Sequence, residues 1–99
     1  MLTISKTKEN DKLTIDVTGR LDTTTAPELE AAIKEDIDGI SELVINIEEL
    51  EYISSAGLRV LLAAQKTMNR QGSMVVTNAN ESIMEIFEVT GFCDILTIE

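Results

Sequence analysis

Hydrophobic and polar residues alternate in two stretches near the start of the chain, residues 2–4 and 13–17. A period of two is typical of β-strands that bury one face, so both stretches are predicted to be strands. The intervening KENDK carries turn-forming residues, which predicts an antiparallel pair, and Gly19 is expected to end the second strand. The pattern therefore predicts a fold that begins with two paired strands.

The next stretch, TTTAPELEAAIKEDI, carries the signals of a helix start. Thr25 is predicted to be the N-cap, with Glu28 three residues later completing a capping box and Pro27 in the first turn. Hydrophobic residues then recur every four positions from Leu29 to Ile37, which gives this first helix one buried stripe.

The middle of the chain predicts a strand, a helix and another strand. LVINI at residues 43–47 is a nearly continuous hydrophobic run, which is typical of a central strand covered on both faces. Leucines at helical spacing follow from Ala56, and Gly72 is expected to end this second helix. MVVT at residues 74–77 is predicted to be the next strand.

The last part of the chain predicts a third helix, with Asn80 as its cap and Gly91 at its end, and then a strand in DILTIE, residues 94–99. The complete order is β-β-α-β-α-β-α-β. Such an order predicts an α/β fold in which a mixed β-sheet packs against helices. Because no linker or repeat interrupts the pattern, residues 1–99 are expected to form a single domain.

The chain is strongly acidic, with 18 acidic and 8 basic residues and a net charge of −10. Such a charge opposes phosphate backbones and anionic lipids, so neither nucleic acid nor a membrane is expected as a partner. With no long hydrophobic run and no signal-peptide pattern, the expected location is the cytoplasm. Seven acidic residues and no basic one lie in residues 35–51, which predicts either a solvated surface or a docking face for a basic partner.

Composition also limits the chemistry. Because the chain has no His, neither a Ser-His-Asp triad nor a zinc site of Cys and His can form. The single Cys93 is expected to be a packing or surface residue. Neither GxxxxGK[ST] nor GxGxxG occurs, so no nucleotide-binding loop is predicted. We therefore expect no catalytic residue, no metal site, no cofactor and no small-molecule substrate.

Two adjacent serines, Ser54 and Ser55, precede the second helix in YISSAGLRVLL. Ser55 is expected at or next to the N-cap, where its hydroxyl is exposed and an added phosphate would meet the positive end of the helix dipole. Serine is also an ordinary cap residue in this position. The residues by themselves disfavour a nucleophile and leave a plain cap and a phosphate acceptor both open.

Three stretches together resemble the STAS domain family, specifically the bacterial anti-sigma factor antagonists: GRLDTTTAPELEAAI, LVINIEELEYISSAGLRVLL and GSMVVTNANESIMEIFEVTGF. The resemblance covers about residues 2–98. In such antagonists a serine at the start of the second helix, two residues before a glycine, is the phosphorylation site. The resemblance therefore assigns phosphorylation to Ser55, with Gly57 as the matching glycine. Ser54 is the lesser candidate and stands where the family often has Asp.

What the resemblance implies is a partner switch. Unphosphorylated, such a protein binds an anti-sigma factor with serine kinase activity and frees a sigma factor; phosphorylation by that kinase abolishes binding, and a metal-dependent serine phosphatase restores it. ATP and magnesium would belong to the kinase, so no cofactor is expected in this chain. The residues expected to contact the partner are Asp22, Thr23, Thr24, Ser54, Ser55, Gly57 and Arg59.

Some of these expectations have alternatives. Asp22 is equally well interpreted as a turn residue that accepts hydrogen bonds from nearby backbone N–H groups, and Arg59 as a solvated side chain. Thr25 lies in the same loop as Asp22 and is a further candidate for its surface. At the level of function, the alternative is a STAS accessory or scaffold subunit of a transporter or lipid-transfer system, without phosphorylation. An enzyme is disfavoured by the absence of His.

Overall fold

A mixed five-stranded β-sheet with helices packed on it forms the frame of the protein, in agreement with the predicted fold class. The computed structural model describes residues 2–99. In chain order the elements are β1 (Leu2–Glu9), β2 (Lys12–Leu21), α1 (Ala26–Asp36), β3 (Glu42–Asn46), β4 (Leu50–Ile53), α2 (Ser55–Gln71), β5 (Ser73–Thr77), α3 (Glu81–Thr90) and a short 3-10 helix (Phe92–Asp94). The order agrees with the prediction through α3 except for one additional strand, β4, and the predicted last strand is reduced to a bridge at Ile98.

β2 organises the sheet. β1 pairs with it antiparallel along one edge, whereas β3 and β4 both pair with the other edge in parallel, β3 beside residues 12–16 and β4 beside residues 19–21. β5 adds to β3, again in parallel. Because β2 and β4 are parallel, their carboxyl ends lie at the same edge of the sheet, with Leu21 opposite Ile53.

The predicted end of β2 at Gly19 was wrong, since the strand continues to Leu21. Gly19 has a φ of 106°, and the register of the β2–β4 pairing shifts between Gly19 and Arg20. Glycine adopts this backbone conformation without the steric cost that other residues have. Gly19 therefore marks an irregularity within β2 and not the end of the strand.

β4 has no recognisable pattern in the sequence. Leu50 and Ile53 are buried, but the two residues between them, Glu51 and Tyr52, are both exposed. The period of two that identifies a half-buried strand is therefore absent. The strand forms because it pairs with the last residues of β2, and this contact is not visible in local sequence.

The sheet is buried on one face. In β3, Leu43 and Ile45 are fully buried, whereas Val44 and Asn46 are only half-buried. The same alternation runs along the paired parts of β2 and β5. The prediction that this strand is covered on both faces was therefore wrong, because a branched residue such as Val44 suits either face of a strand.

The helices cover the buried face of the sheet. Leu29 and Ile33 of α1 are buried, as the predicted stripe requires. α2 buries Leu61 and Met68, and α3 contributes the fully buried Phe87. α1 and α2 also contact each other, which closes the core on the side away from the sheet.

The chain after α3 departs from the predicted last strand. α3 ends at Gly91 as predicted, but a 3-10 turn at Phe92–Asp94 follows. The backbone N–H groups of residues 95 and 96 donate back into that turn. The last residues make a parallel bridge between Ile98 and Val76, in which the N–H of Val76 donates to the carbonyl of Thr97 and the N–H of Glu99 donates to the carbonyl of Val76, both at 2.9 Å.

Candidate functional site

Two loops meet at the carboxyl ends of β2 and β4. The β2–α1 loop, residues 22–25, follows Leu21, and the start of α2 follows Ile53, its partner in the ladder. The backbone N–H of Ser54 donates to the carbonyl of Leu21 at 2.8 Å and joins the two loops directly. The parallel pairing thus brings together predicted site residues that lie about thirty positions apart in the chain.

Ser54 is the N-cap of α2. Its backbone is extended, with φ −96° and ψ 175°, and its hydroxyl accepts a hydrogen bond from the N–H of Gly57 at 3.4 Å. The carbonyl of Ser54 accepts the first intrahelical bond, from Leu58, at 3.0 Å. The half-buried Ser54 therefore caps the helix, which is one of the two roles that the sequence left open for the serine pair.

Ser55 is the first residue of α2 and is exposed. Among residues 2–99 no side-chain hydrogen bond involves its hydroxyl, whereas that of Ser54 is engaged with the helix. Ser55 lies at the positive end of a helix of 17 residues, where negative charge is favoured. Ser55 therefore offers a free hydroxyl on the surface at a position suited to an added anion.

Gly57, which was expected to contact the partner, is buried beneath the start of α2. A Cβ at this position would lie 2.7 Å from Cγ of Leu21 and 3.0 Å from Cγ1 of Ile53. Only glycine allows the helix to approach the ends of β2 and β4 this closely. Its part in the site is therefore to position Ser55.

Asp22 organises the β2–α1 loop. Its Oδ1 accepts hydrogen bonds from the backbone N–H groups of Thr24 and Thr25, at 3.0 and 3.1 Å, and from the Thr24 hydroxyl at 2.7 Å. The hydrogen bond from the Thr24 hydroxyl is the main cause that lowers the pKa of this carboxyl, and the backbone bonds add to it. Asp22 therefore fits the interpretation as a turn residue that shapes the loop.

Thr25 faces inward and not toward a partner. It is buried, its hydroxyl donates to the carbonyl of Arg20 at 2.8 Å, and the same oxygen accepts from the N–H of Asp22 at 2.8 Å. Thr25 precedes α1 as predicted, but its side chain makes no capping bond to the helix. The predicted capping box with Glu28 was therefore wrong, because the hydroxyl is already engaged within the loop.

Thr23 and Arg59 come together at a shallow groove between the starts of α1 and α2. Both are exposed, and they line the groove with Pro27 and Glu30 of α1 and with Ala56 of α2. Between residues 2 and 99 no carboxylate lies within ion-pair distance of Arg59. The groove therefore begins next to Ser55, at Ala56, and Arg59 is an unpaired cation in its lining.

Arg20 and Tyr52 form a feature at the same end of the sheet that sequence reasoning missed. They are opposite each other in the β2–β4 ladder, and the Arg20 guanidinium lies 4.4 Å from the centroid of the Tyr52 ring. This distance is typical of a cation–π contact. No signal in the sequence could have paired them, because the pairing depends on β4, which was not predicted.

The acidic stretch at residues 35–51 does not form one surface. The four acidic residues within 35–42 lie toward the start of β3, and three of them are within 4 Å of a lysine amine. The three within 48–51 follow β3 at its other end, near the site. The stretch therefore consists of two separate acidic groups, one of which is partly neutralised.

The described part of the chain has few other candidates for chemistry. Within residues 2–99 no three His, Cys, Asp or Glu side chains gather in a group able to hold a metal ion. Cys93 is exposed and unpaired in that range. No helix of residues 2–99 combines the length and the hydropathy that crossing a membrane requires.

The chain is similar to known proteins in sequence and in fold. The model of the STAS domain family matches residues 3–99. An anti-sigma-B factor antagonist of Listeria monocytogenes is 33% identical over 97 residues, which are 95% of this chain and 84% of that protein.

Two solved structures share the fold. An anti-sigma factor antagonist from Mycobacterium paratuberculosis superposes with a TM-score of 0.90 at 24% identity, over 99% of this chain and 85% of that one. The Bacillus cell fate determinant SpoIIAA in its phosphorylated form superposes with a TM-score of 0.75 at 17% identity, over 100% and 91%.

Proposed function

This chain belongs to the STAS domain family, and on that premise we propose that it is an anti-sigma factor antagonist whose binding is switched by phosphorylation of Ser55. The observation that carries the site assignment is the exposed hydroxyl of Ser55 on the first turn of α2. Its neighbour Ser54 is half-buried, and its hydroxyl oxygen already accepts from the N–H of Gly57, so it is less accessible than Ser55. The two serines therefore divide the roles of cap and acceptor.

The chemistry at Ser55 is supplied by a partner. The hydroxyl oxygen attacks the γ-phosphorus of ATP bound to the kinase, ADP leaves, and the hydroxyl proton passes to a base of the kinase. The free Ser55 hydroxyl supplies the acceptor. We propose that this chain is a binding protein and not an enzyme, and that ATP and magnesium belong to the kinase.

Phosphorylation acts on the surface and not on the fold. The phosphoryl group adds about −1.5 to −2 charges at the start of α2, where the helix dipole accommodates it without rearrangement. A partner that docks over the β2–α1 loop and the start of α2 must then desolvate this added charge or is repelled by it. The proposed partners are an anti-sigma factor with serine kinase activity and a metal-dependent serine phosphatase that reverses the modification.

The relative named anti-sigma-B factor antagonist supports this role over that of a transporter or lipid-transfer subunit. Exposed residues of the proposed contact surface are Thr23, Thr24, Ser55 and Arg59. Asp22 and Gly57 hold the two loops in place beneath it. The proposed location is the cytoplasm, where a sigma factor acts.

The test is phosphorylation by the cognate kinase, read by intact mass and by the position of the modified residue. Wild type and Ser54→Ala are expected to gain one phosphoryl group, and Ser55→Ala is expected to gain none. Phosphate on Ser55→Ala would contradict the site assignment. Separately, Ser55→Asp is expected to weaken binding to the anti-sigma factor by about tenfold or more in calorimetry, with Ser55→Ala as the control that keeps binding.

A further inference from the structure

Arg59 lies one turn beyond Ser55 on α2, at the i,i+4 spacing that places two side chains next to each other on a helix surface. Both residues are exposed. The residues between them do not obstruct the approach, because Gly57 has no side chain, Ala56 is small and Leu58 is buried. The geometry of the helix therefore holds the Arg59 guanidinium within reach of a group attached to the Ser55 oxygen.

Three other charged groups near this helix start have separate engagements. The Asp22 carboxylate accepts hydrogen bonds from its own loop, and Glu30 of α1 lies within 3.8 Å of Lys34. Arg20 contacts Tyr52 in the β2–β4 ladder. Within residues 2–99 none of the acidic groups is within 4 Å of Arg59, which leaves its guanidinium free for an added anion.

We propose that Arg59 binds the phosphoryl group of phosphorylated Ser55 within the same helix, an inference that rests on the proposed phosphorylation of Ser55. The acidic member is N-terminal to the basic one, which is the favourable order for an i,i+4 pair along the helix dipole. A planar guanidinium can donate two parallel hydrogen bonds to phosphate oxygens. The helix start therefore contains both the acceptor serine and the residue that holds the phosphoryl group after transfer.

This pair gives phosphorylation a second effect on the partner surface. Without phosphate, Arg59 is an unpaired cation on a chain of net charge −10 and lines the groove beside Thr23. With phosphate, the cation turns to the phosphoryl group and is withdrawn from that groove. The modification thus adds negative charge and removes the positive charge available to an acidic group of the partner.

The test uses the full chain with phosphoserine incorporated genetically at position 55, so that no kinase is needed. The second ionisation of the phosphate is followed by phosphorus NMR as a function of pH. Arg59 is expected to hold this pKa down, and Arg59→Gln is expected to raise it by about 0.2 to 0.4 units, as an exposed i,i+4 pair predicts. Arg59→Lys should keep part of the effect as a point charge.

Lys66→Gln is the matched control, because it removes one positive charge from the exposed face of the same helix about three turns beyond Ser55. It should leave the phosphate pKa unchanged. An equal shift in Arg59→Gln and Lys66→Gln, or no shift in Arg59→Gln, would overturn the proposal. Failure of the kinase to modify Ser55 would instead count against the proposed function, and the two outcomes are measured in separate samples.

Discussion

Gly57 has no side chain, yet it determines how closely the helix that carries Ser55 approaches the sheet. Its position leaves 2.7 Å between an added Cβ and Cγ of Leu21, less than any real carbon contact allows. Leu21 is itself 1% exposed and cannot move into solvent. The glycine in SSAGL is therefore a packing requirement of the site, whereas sequence comparison alone assigns it to the contact surface.

Gly57→Ala is expected to destabilise the protein by about 1 to 2 kcal/mol. Overpacking costs about 1 to 3 kcal/mol, and the better helix propensity of Ala offsets up to about 1 kcal/mol of it. Urea unfolding followed by circular dichroism measures the difference. In a Leu21→Ala background, which removes the clashing atoms, the same substitution should cost less; an equal cost in both backgrounds would refute the packing argument.

The sequence allows two interpretations for Asp22, as a partner contact or a turn residue, and two for Arg59, as a partner contact or a solvated side chain. The choice depends on the neighbours of each residue in the structure. The hydrogen bonds from Thr24 and Thr25 to Asp22 depend on a tight loop, and TTT in the sequence only suggests that such donors are available. The unpaired state of Arg59 depends on where every nearby carboxylate lies. Both facts depend on the folded structure and not on residue identity alone.

At the scale of elements, α2 contains both a helix cap and the proposed phosphorylation site. Its cap is Ser54 and its first exposed residue is Ser55, so adjacent side chains have different consequences for the helix. The hydrophobic spacing from Ala56 onward predicted the helix, and Leu61 and Met68 are buried as that spacing requires. Which serine caps the helix and which one is free depends on the residue at which the extended backbone ends and the helix begins.

Ser54→Ala is expected to lower the free energy of unfolding by about 0.5 to 1 kcal/mol, because it removes the capping oxygen. Ser55→Ala should change it by less than about 0.5 kcal/mol, as an exposed substitution at the first helical position. Urea titration of both variants makes the comparison. Equal losses in the two variants would show that both hydroxyls cap the helix.

The two departures from the predicted elements have different causes. β4 has two exposed residues in succession, Glu51 and Tyr52, and is held by the end of β2. The last predicted strand has the right pattern, yet its start is drawn into the 3-10 turn at Phe92–Asp94. Pairing with a distant segment decides β4, whereas local hydrogen bonds within residues 91–96 form the turn that replaces the start of the last strand.

At the scale of the whole molecule, β1 is tied to α1 through charge. The Lys6 amine lies 2.7 Å from Asp36 and 3.2 Å from Glu35, and it also donates to the carbonyl of Ala32 at 3.3 Å. The hydrogen bond from Lys6 is the main cause that lowers the pKa of Asp36, and the same bond raises the pKa of Lys6. An edge strand is thereby joined to a helix across the buried face of the sheet.

These shifts predict how stability depends on pH. The pKa of Asp36 is lower in the folded than in the unfolded protein, so its contribution is present above the unfolded value of about 3.9 and is lost as pH falls through the folded pKa. Asp22 contributes in the same direction. Lys6 acts oppositely: its contribution is present below about 10.4 and is lost as pH rises through its raised folded pKa.

Asp36→Asn is therefore expected to be less stable than wild type near neutral pH and to converge with it between about pH 4 and pH 2. Urea unfolding of both proteins across this pH range gives the difference between their free energies of unfolding. Taking this difference cancels the effect of net charge that the two proteins share. Asp38→Asn is the matched control, because Asp38 is exposed and is within 4 Å of no lysine or arginine of residues 2–99. A constant difference between Asp36→Asn and wild type at every pH would contradict the linkage.

The sequence by itself determined the α/β class, the hydrophobic stripes of the helices and the presence of serines at the start of α2, because periodicity and helix signals are local properties of the chain. The tertiary structure decided which serine is free, why Gly57 is required and how Asp22 is bound. The cap at Ser54 and the hydrogen bonds to Asp22 are local and depend on the backbone conformation, whereas the requirement for Gly57 depends on the parallel pairing of β2 with β4, which sets segments about thirty residues apart side by side. Such pairing is stabilised by contacts across the fold, and no window of the sequence contains both partners.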